Sequence, residues 1–284
     1  MKQIVVISGK GGTGKTTMTA SLATLAEGAA VLADCDVDAP DLHLILKPRV
    51  LETFDFLGLK TALIDPDKCT ECGECEKACR FDAISDFVVD PASCEGCKVC
   101  TIVCPSEAVS MVDRISGHAY ISETRFGPMV HADLFPGEEA SGKLVTMVRE
   151  ISARVAEKEK KDLIIIDGSP GIGCPVIASI TGTDIALVMT EPSISGVHDL
   201  ERILGVTQHF GVVAMVSINK YDLNLEMTGK IEGLCREMGV EIAGKLPFDP
   251  GVMEAMISVK TLVEAGGPVG DAIREVWDRI RTKL

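Results

Sequence analysis

Two groups of residues in this 284-residue chain have the types and the spacing that chemistry requires: a glycine-rich loop near the amino end and a dense set of cysteines. The loop, residues 9–16, reads G-K-G-G-T-G-K-T and satisfies the phosphate-binding pattern G-x-x-x-x-G-K-[ST] between a predicted strand and a predicted helix. Its backbone N–H groups can surround a β-phosphate, Lys15 adds positive charge for the β- and γ-phosphates, and the Thr16 hydroxyl can bind Mg²⁺. The predicted nucleotide-binding residues of this loop are Gly9, Lys10, Gly11, Gly12, Thr13, Gly14, Lys15, Thr16 and Thr17.

Eight of the 11 cysteines lie between Cys69 and Cys104, in two runs of the same C-x-x-C-x-x-C-x-x-x-C spacing that are offset by 25 residues. The first strand begins at the amino end and leaves no room for a signal peptide, so we expect a cytoplasmic protein whose cysteines stay reduced. Clustered thiols in a reducing compartment indicate metal binding. The candidate ligands are Cys69, Cys72, Cys75, Cys79, Cys94, Cys97, Cys100 and Cys104.

Each run resembles the cluster-binding run of bacterial ferredoxins, in which three cysteines hold one [4Fe–4S] cluster and the fourth binds the other cluster. The resemblance implies a first cluster on Cys69, Cys72, Cys75 and Cys104, and a second on Cys79, Cys94, Cys97 and Cys100. Zinc is the competing metal, but structural zinc sites usually pair two C-x-x-C knuckles. Arg80 stands where the second run has Pro105, which places a cation near the cluster that Cys79 binds.

Short apolar runs without alternation, separated by helix-length segments, predict a doubly wound, mostly parallel α/β sheet. Together with the phosphate-binding loop at residues 9–16, this predicts a P-loop NTPase fold. The predicted strands are residues 3–7, 29–33, 163–167, 184–189 and 212–218. The cysteine-rich stretch interrupts this rhythm. We therefore predict that residues 63–115 are a small α+β ferredoxin domain inserted between the two parts of the ATPase domain, residues 1–62 and 116–284. For residues 118–143 we predict only that they lead the chain back to the sheet.

Lys10 is not required by the general phosphate-binding pattern. The loop K-G-G-x-G-K-[ST] that contains it is similar to that of the deviant P-loop ATPases of the MinD, Mrp and nitrogenase-iron-protein group. In that group the early lysine reaches the nucleotide of a partner subunit. The resemblance therefore implies a dimer in which Lys10 acts in trans, with Lys15 and Asp36 as the other catalytic residues. It places Asp36 where the attacking water is oriented, and Asp167 where Mg²⁺ is held together with Thr16.

The segment from Asn219 to Asp222 reads N-K-x-D, which is similar to the guanine-recognition motif of GTPases. The deviant P-loop ATPases also carry an asparagine here, which pairs with adenine. Because Lys10 places the chain with the ATPases, we predict that Asn219 binds adenine and that the nucleotide is ATP.

Cys174 lies seven residues after Asp167 and resembles a cysteine with which the nitrogenase iron protein holds a cluster across its dimer interface. The second ligand of that pair has no evident counterpart in this chain. A small, buried side chain without a ligand is the simpler interpretation of Cys174, and we expect it to be buried.

Composition argues against two classes of partner. The formal net charge is −14 and only 4% of the residues are aromatic, which is unfavourable for binding nucleic acid. No apolar run approaches the ~20 residues that span a bilayer. The amphipathic residues 269–284 favour a helix packed on the sheet over a helix on a membrane surface. We expect neither a nucleic-acid nor a membrane partner.

These motifs predict an ATP-hydrolysing iron–sulfur protein whose nucleotide state gates electron transfer through two [4Fe–4S] clusters. Its cofactors would be ATP, Mg²⁺ and the two clusters. It would pair with a second copy or with a related ATPase across the nucleotide, and it would exchange electrons with a redox partner. The alternative is a carrier of the Mrp type that delivers clusters to apo iron–sulfur proteins.

Overall fold

The computed structural model describes residues 1–138 and 141–284, which fall into two compact units. The larger unit contains Met1–Thr53, Ala119–Asp133 and Ser141–Leu284. The smaller unit contains Phe54–His118 and the described part of the segment that begins at Leu134. All eight cysteines of the two runs belong to the smaller unit, and the glycine-rich loop belongs to the larger one.

The strands, in chain order, are β1 (Lys2–Ser8), β2 (Ala30–Asp34), β3 (Arg49–Leu57), β4 (Thr61–Ile64), β5 (Ile84–Ser85), β6 (Val88–Val89), β7 (Val109–Val112), β8 (Ile115–Thr124), β9 (Gly127–Leu134), β10 (Leu163–Pro170), β11 (Ile185–Thr190), β12 (Val213–Asn219) and β13 (Glu241–Leu246). The helices are α1 (Lys15–Leu25), α2 (Leu42–Leu46), α3 (Glu74–Ala78), α4 (Val99–Val103), α5 (Ser141–Glu159), α6 (Cys174–Ile180), α7 (Ile194–His209), α8 (Leu225–Glu237), α9 (Gly251–Ile257), α10 (Leu262–Ala265) and α11 (Gly267–Arg281). A short 3₁₀ turn covers Tyr221–Leu223.

A nine-stranded sheet runs in the order β13-β12-β11-β1-β10-β2-β9-β8-β3. From β13 to β9 each neighbouring pair is parallel. The prediction of a mostly parallel α/β sheet is therefore confirmed. Sequence patterns missed β3, β8, β9 and β13 of this sheet. Strands β8 and β9 show that residues 118–134 extend the sheet as well as reconnecting the chain to it.

The central strands are unalternating because both faces of the sheet are covered. On β1, Ile4 and Val6 face one core while Val5 and Ile7 face the other, and all four are fully buried. Helices α1, α10 and α11 pack together, and α5 packs on α6 and α7 on α8. The apolar stripe of α11 is buried against this core, as predicted, through Ile273, Val276, Trp277 and Ile280. Within the described residues, no helix combines the length and the apolar character needed to cross a membrane.

The smaller unit consists of two antiparallel ribbons and two short helices. Strand β4 pairs with β7, β5 pairs with β6, and α3 packs on α4. Its core is small and includes two of the cysteines, Cys75 and Cys100, packed with Ala62, Ile84 and Val109. Each helix begins after a residue with a left-handed backbone, Gly73 at φ 74° before α3 and Lys98 at φ 67° before α4, so the internal repeat of the sequence is also a repeat of structure.

Candidate functional site

The glycine-rich loop connects the carboxyl end of β1 to the amino end of α1, where helix N–H groups point outward. Gly14 caps α1 with φ 93°, and a Cβ atom there would lie 2.8 Å from Nδ2 of Asn219. A Cβ atom on Gly9 would lie 2.5 Å from the Cβ of Asp199. These two positions therefore require glycine, the first for its backbone angle and both for space.

Three carboxylates are buried at the ends of β2 and β10, and one of them, Asp36, lies beside the buried Lys15 of the loop. Asp34 on β2 and Asp167 on β10 are register partners on adjacent parallel strands, and both are fully buried. Asp36 follows β2, and its Oδ2 lies 3.7 Å from Nζ of Lys15, whose side chain is only 5% exposed. Sequence order places these groups at strand ends, and the sheet brings them together at one edge.

Asp167 is the best-placed candidate for holding Mg²⁺. Its Oδ1 accepts a hydrogen bond of 3.0 Å from the Thr19 hydroxyl, while its Oδ2 is buried without a hydrogen-bond partner among the described residues. Burial raises the pKa of Asp167, and the hydroxyl of Thr16 and the charge of Lys15 act against that rise. A buried carboxylate oxygen left unpaired beside two hydroxyls is the donor set that a hard cation prefers, so these residues fit Mg²⁺.

Asp34 is a buried residue of the candidate site to which the sequence analysis assigned no role. Its Oδ1 accepts the N–H of Asp36 at 3.1 Å and its Oδ2 accepts the N–H of Leu42 at 3.3 Å. One carboxylate thus fixes both ends of the loop that carries Asp36. Burial and the neighbouring Asp167 raise the pKa of Asp34 well above its ordinary value. The D-x-D pattern of residues 34–36, at the end of β2, is the feature of the sequence that could have identified Asp34.

Burial also shifts the pKa of Asp36, the carboxylate that lies beside Lys15. Desolvation raises the pKa of Asp36 to about 6, against the opposing effect of Lys15. A carboxylate with this pKa changes protonation near neutral pH and can accept or orient a proton of bound water.

Lys10 does not point toward its own loop. Its Nζ donates to the hydroxyls of Ser193 at 3.3 Å and Ser195 at 3.1 Å, and it lies 3.9 Å from a carboxylate oxygen of Glu191. Glu191 also forms an ion pair with Lys220 at 2.8 Å. The chain therefore holds Lys10 through side chains at the carboxyl end of β11 and the start of α7, which sequence reasoning had not identified.

The N-K-x-D segment follows β12 and contacts the loop directly. The Nδ2 of Asn219 donates to the backbone carbonyl of Thr13 at 2.9 Å. The Oδ1 of Asp222, the group that would recognise guanine in a GTPase, accepts the N–H of Phe248 at 2.8 Å. Lys220 is engaged with Glu191.

A cavity of about 850 Å³ opens over the loop. Of the predicted nucleotide-site residues, the cavity is lined by Gly11, Gly12, Gly14, Lys15, Thr16, Thr17, Asp36 and Asn219. Four others lie outside its lining: Gly9, Lys10, Thr13 and Asp167. Thr13 is buried, and its hydroxyl has no partner in the described part of the chain. An apolar arm of the cavity lies beside α2 and α9, where Leu44, Met253 and Met256 line it.

The eight clustered cysteines line two separate small cavities in the smaller unit. One is lined by Cys69, Cys72, Cys75 and Cys104, and the other by Cys79, Cys94, Cys97 and Cys100. In each case three thiols come from one run and the fourth from the other run. All eight are free thiols. Over residues 1–138 and 141–284, no three His, Cys, Asp or Glu side chains are grouped closely enough to hold a single metal ion.

The cysteines outside the two runs differ in exposure. Cys35 and Cys235 are buried, and burial raises the pKa of the Cys235 thiol to about 11. Cys174, at the first residue of α6, is exposed. The expectation that Cys174 is buried is wrong, because the helix starts at the surface after the turn that follows β10.

Comparison with known proteins identifies the family of the larger unit. The family model of the CobQ/CobB/MinD/ParA nucleotide binding domain matches residues 4–262. The chain belongs to this family. It is accordingly a P-loop ATPase of the MinD/ParA type, for which ATP and Mg²⁺ are the fitting cofactors.

Individual proteins are similar to the whole chain or to part of it. An uncharacterized protein of Methanocaldococcus jannaschii is 34% identical over 281 residues, which are 98% of this chain and 96% of that protein. The structure of the septum site-determining protein MinD from Pyrococcus horikoshii, complexed with Mg-ADP, has a TM-score of 0.61 at 18% identity and covers 100% of this chain and 98% of that one. This likeness shows the fold. A cytosolic Fe–S cluster assembly factor of Eremothecium gossypii is 25% identical over 142 residues, 43% of each protein.

Proposed function

We propose that this ATPase binds two [4Fe–4S] clusters in its smaller unit and that its nucleotide state gates electron transfer through them. The observation that carries the proposal is the pair of cavities, each lined by four cysteine thiols. Residues 63–115, for which we predicted an inserted ferredoxin domain, fall within the sequence range of this unit. The two clusters would supply one-electron redox chemistry.

The cysteine side chains fit this group by their chemistry and by their neighbours. Thiolates are the ligands of iron–sulfur clusters. The backbone N–H of Ala83 donates to Cys79 Sγ at 3.4 Å, and that of Ala108 donates to Cys104 Sγ at 3.3 Å. Such donors stabilise negative charge on a thiolate. Cys75 and Cys100 are packed into the core, which fixes one thiol of each quartet in place.

Nucleotide chemistry in the larger unit follows from the loop and the three carboxylates. We propose that Lys15 neutralises the β- and γ-phosphates, that Thr16 and Asp167 hold Mg²⁺, and that Asp36 orients the attacking water. ATP is favoured over GTP because the chain belongs to the family of MinD/ParA-type P-loop ATPases. The Asn219 amide, which we predicted to bind adenine, is within reach of the same cavity.

A dimer completes the proposed ATPase site. Lys10 is held by Glu191, Ser193 and Ser195 and does not line the nucleotide cavity of its own chain. This placement supports a role for Lys10 at the nucleotide of a partner subunit, a second copy or a related chain. A lysine supplied in trans would stabilise charge in the transition state as an arginine finger does.

Complementation tests the trans role of Lys10. Lys10→Ala and Lys15→Gln should each reduce hydrolysis by about 100-fold or more. Mixing the two variants should restore phosphate release. In a mixed dimer, one nucleotide site combines Lys15 of the Lys10→Ala chain with Lys10 of the Lys15→Gln chain. Absence of restoration, with both variants dimeric by light scattering, would contradict action in trans.

Iron content and ATP-dependent electron transfer test the central proposal. Anaerobically purified protein should contain about eight irons per chain. After reduction, electrons should pass to an added acceptor faster during ATP hydrolysis, with iron retained, and Lys15→Gln should remove the ATP effect while leaving the iron. An acceptor rate that is independent of ATP would refute gating.

A cluster carrier is the second candidate function. Two observations favour it: the partial match to an iron–sulfur cluster assembly factor and the exposed thiol of Cys174. A carrier should lose iron to an added apo-ferredoxin in the presence of ATP, whereas a gated electron-transfer protein should keep it. Cys174→Ser should lower iron per dimer only if Cys174 binds a shared cluster. Unchanged iron would eliminate that role.

A further inference from the structure

The two halves of the smaller unit differ at one position beside the fourth cysteine of each run. Both halves share the backbone donor, since Ala83 N–H reaches Cys79 and Ala108 N–H reaches Cys104 at almost the same distance. In the second half, Oγ of Ser106 lies 3.6 Å from Sγ of Cys104. In the first half the repeat places Phe81 at the position of Ser106.

Both side chains face the cavities that the cysteines line. Ser106 lines the cavity of Cys69, Cys72, Cys75 and Cys104, and Phe81 lines the cavity of the other quartet. One cavity therefore has a hydroxyl where the other has a phenyl ring. A hydroxyl can donate to a thiolate sulfur, and a phenyl ring cannot.

We propose that Ser106 donates a hydrogen bond to the Cys104 thiolate and thereby raises the reduction potential of the cluster bound by Cys104. The proposal rests on the proposed function, since it requires both clusters. Adding one electron to a cluster increases the negative charge on its sulfur ligands. A donor to one of those sulfurs therefore stabilises the reduced form more than the oxidised form.

The second cavity has its own additional donor, so the proposal concerns the effect of Ser106 on its own cluster and not the order of the two potentials. Ala62 N–H donates to Cys94 Sγ at 3.5 Å, and the Thr61 hydroxyl lies near the same thiol. Both groups stay unchanged in variants of Ser106 and Phe81. A substitution at Ser106 therefore alters the lining of one cavity only, and a substitution at Phe81 alters the lining of the other cavity only.

Potentiometric titration of the reconstituted full-length protein, followed by electron paramagnetic resonance, tests the proposal. Ser106→Ala should lower one of the two midpoint potentials and leave the other unchanged, whereas Ser106→Thr, which keeps the hydroxyl, should restore it. Phe81→Ser should raise the other midpoint. Ser110→Ala, an exposed residue of β7 that lines neither cavity, is the matched control and should move neither.

Iron content separates the failure of this proposal from the failure of the proposed function. If wild-type protein binds no clusters, the proposed function and this inference both fall. If Ser106→Ala keeps the wild-type iron content and circular dichroism but shifts neither midpoint, or shifts both equally, only the role of Ser106 is refuted. A shift that Ser106→Thr does not reverse would likewise contradict a hydrogen bond from the hydroxyl.

Discussion

The side-chain amide of Asn219 donates to the backbone carbonyl of Thr13 at 2.9 Å, and this bond joins the end of β12 to the phosphate-binding loop. Asn219 comes from a strand 206 positions away in the chain. A residue identified by its resemblance to a base-recognition motif therefore also holds the shape of the loop. The bond occupies the Thr13 carbonyl oxygen and holds the loop, whose N–H groups can bind phosphate oxygens.

Asn219→Ala should weaken nucleotide binding. Loss of one hydrogen bond of about 1 kcal/mol corresponds to a roughly fivefold higher Kd for Mg-ADP. Titration calorimetry measures this directly. Asn224→Ala is the matched control, because Asn224 caps α8 through Met227 N–H and does not line the cavity, so it should leave Kd unchanged. Equal Kd values for Asn219→Ala and wild type would contradict a supporting role for the bond.

Asp167→Asn should remove most of the Mg²⁺ dependence of nucleotide binding, since it neutralises the carboxylate whose Oδ2 is buried and unpaired in the described chain. The affinity for ADP should then be nearly the same with Mg²⁺ and with a chelator. Asp184→Asn is the control, because Asp184 pairs with Lys2 at the opposite end of the sheet. If Mg²⁺ still strengthens ADP binding in Asp167→Asn as in wild type, another residue holds the ion.

The pH dependence of the free energy of unfolding should reveal the raised pKa of Asp36. Burial raises its pKa from 3.8 to about 6, so between these values the folded nucleotide-free protein binds more protons at this group than the unfolded chain does. This carboxyl group therefore lowers the free energy of unfolding as the pH rises through that window. Asp36→Asn should remove that contribution, which is up to about 3 kcal/mol.

Urea unfolding at several pH values measures the effect as the difference between wild type and Asp36→Asn. The difference between the two free energies should change from about pH 4 to about pH 6 and be constant above that window. The slope is the informative quantity, because the substitution also removes the partner of Lys15 at every pH. A pH-independent difference would show that Asp36 is not perturbed by burial.

Iron stoichiometry should show that each of the two cysteine cavities binds its own cluster. Cys72→Ser and Cys97→Ser each change one exposed thiol in a different cavity. Each variant should lose about four of the expected eight irons and retain one cluster signal. Cys235→Ala, a buried residue outside the unit, should retain all of them. Complete loss of iron in both single variants would indicate that the cavities do not bind clusters separately.

Local sequence patterns were enough to predict the phosphate-binding loop, the cysteine runs and the parallel part of the sheet. The loop at residues 9–16 and each cysteine run are short continuous segments, so residue types and spacing were enough to recognise them. The exchange of the fourth cysteine between the runs was expected only from the ferredoxin resemblance. The unalternating strands also predicted the parallel sheet correctly, since a strand buried on both faces needs apolar residues at every position. Strands β3, β8, β9 and β13 were missed because their exposed and buried residues mix polar with apolar types.

Only the tertiary structure decided which distant side chains meet. The pairing of β2 with β10 sets Asp34 against Asp167, and the start of α7 supplies the serines that hold Lys10. The exposure of Cys174 likewise depends on where α6 begins relative to the surface. Sequence spacing specifies neighbours along one strand, loop or helix. Burial, pKa and partners across the sheet depend on packing between segments far apart in the chain, and no single segment encodes that packing.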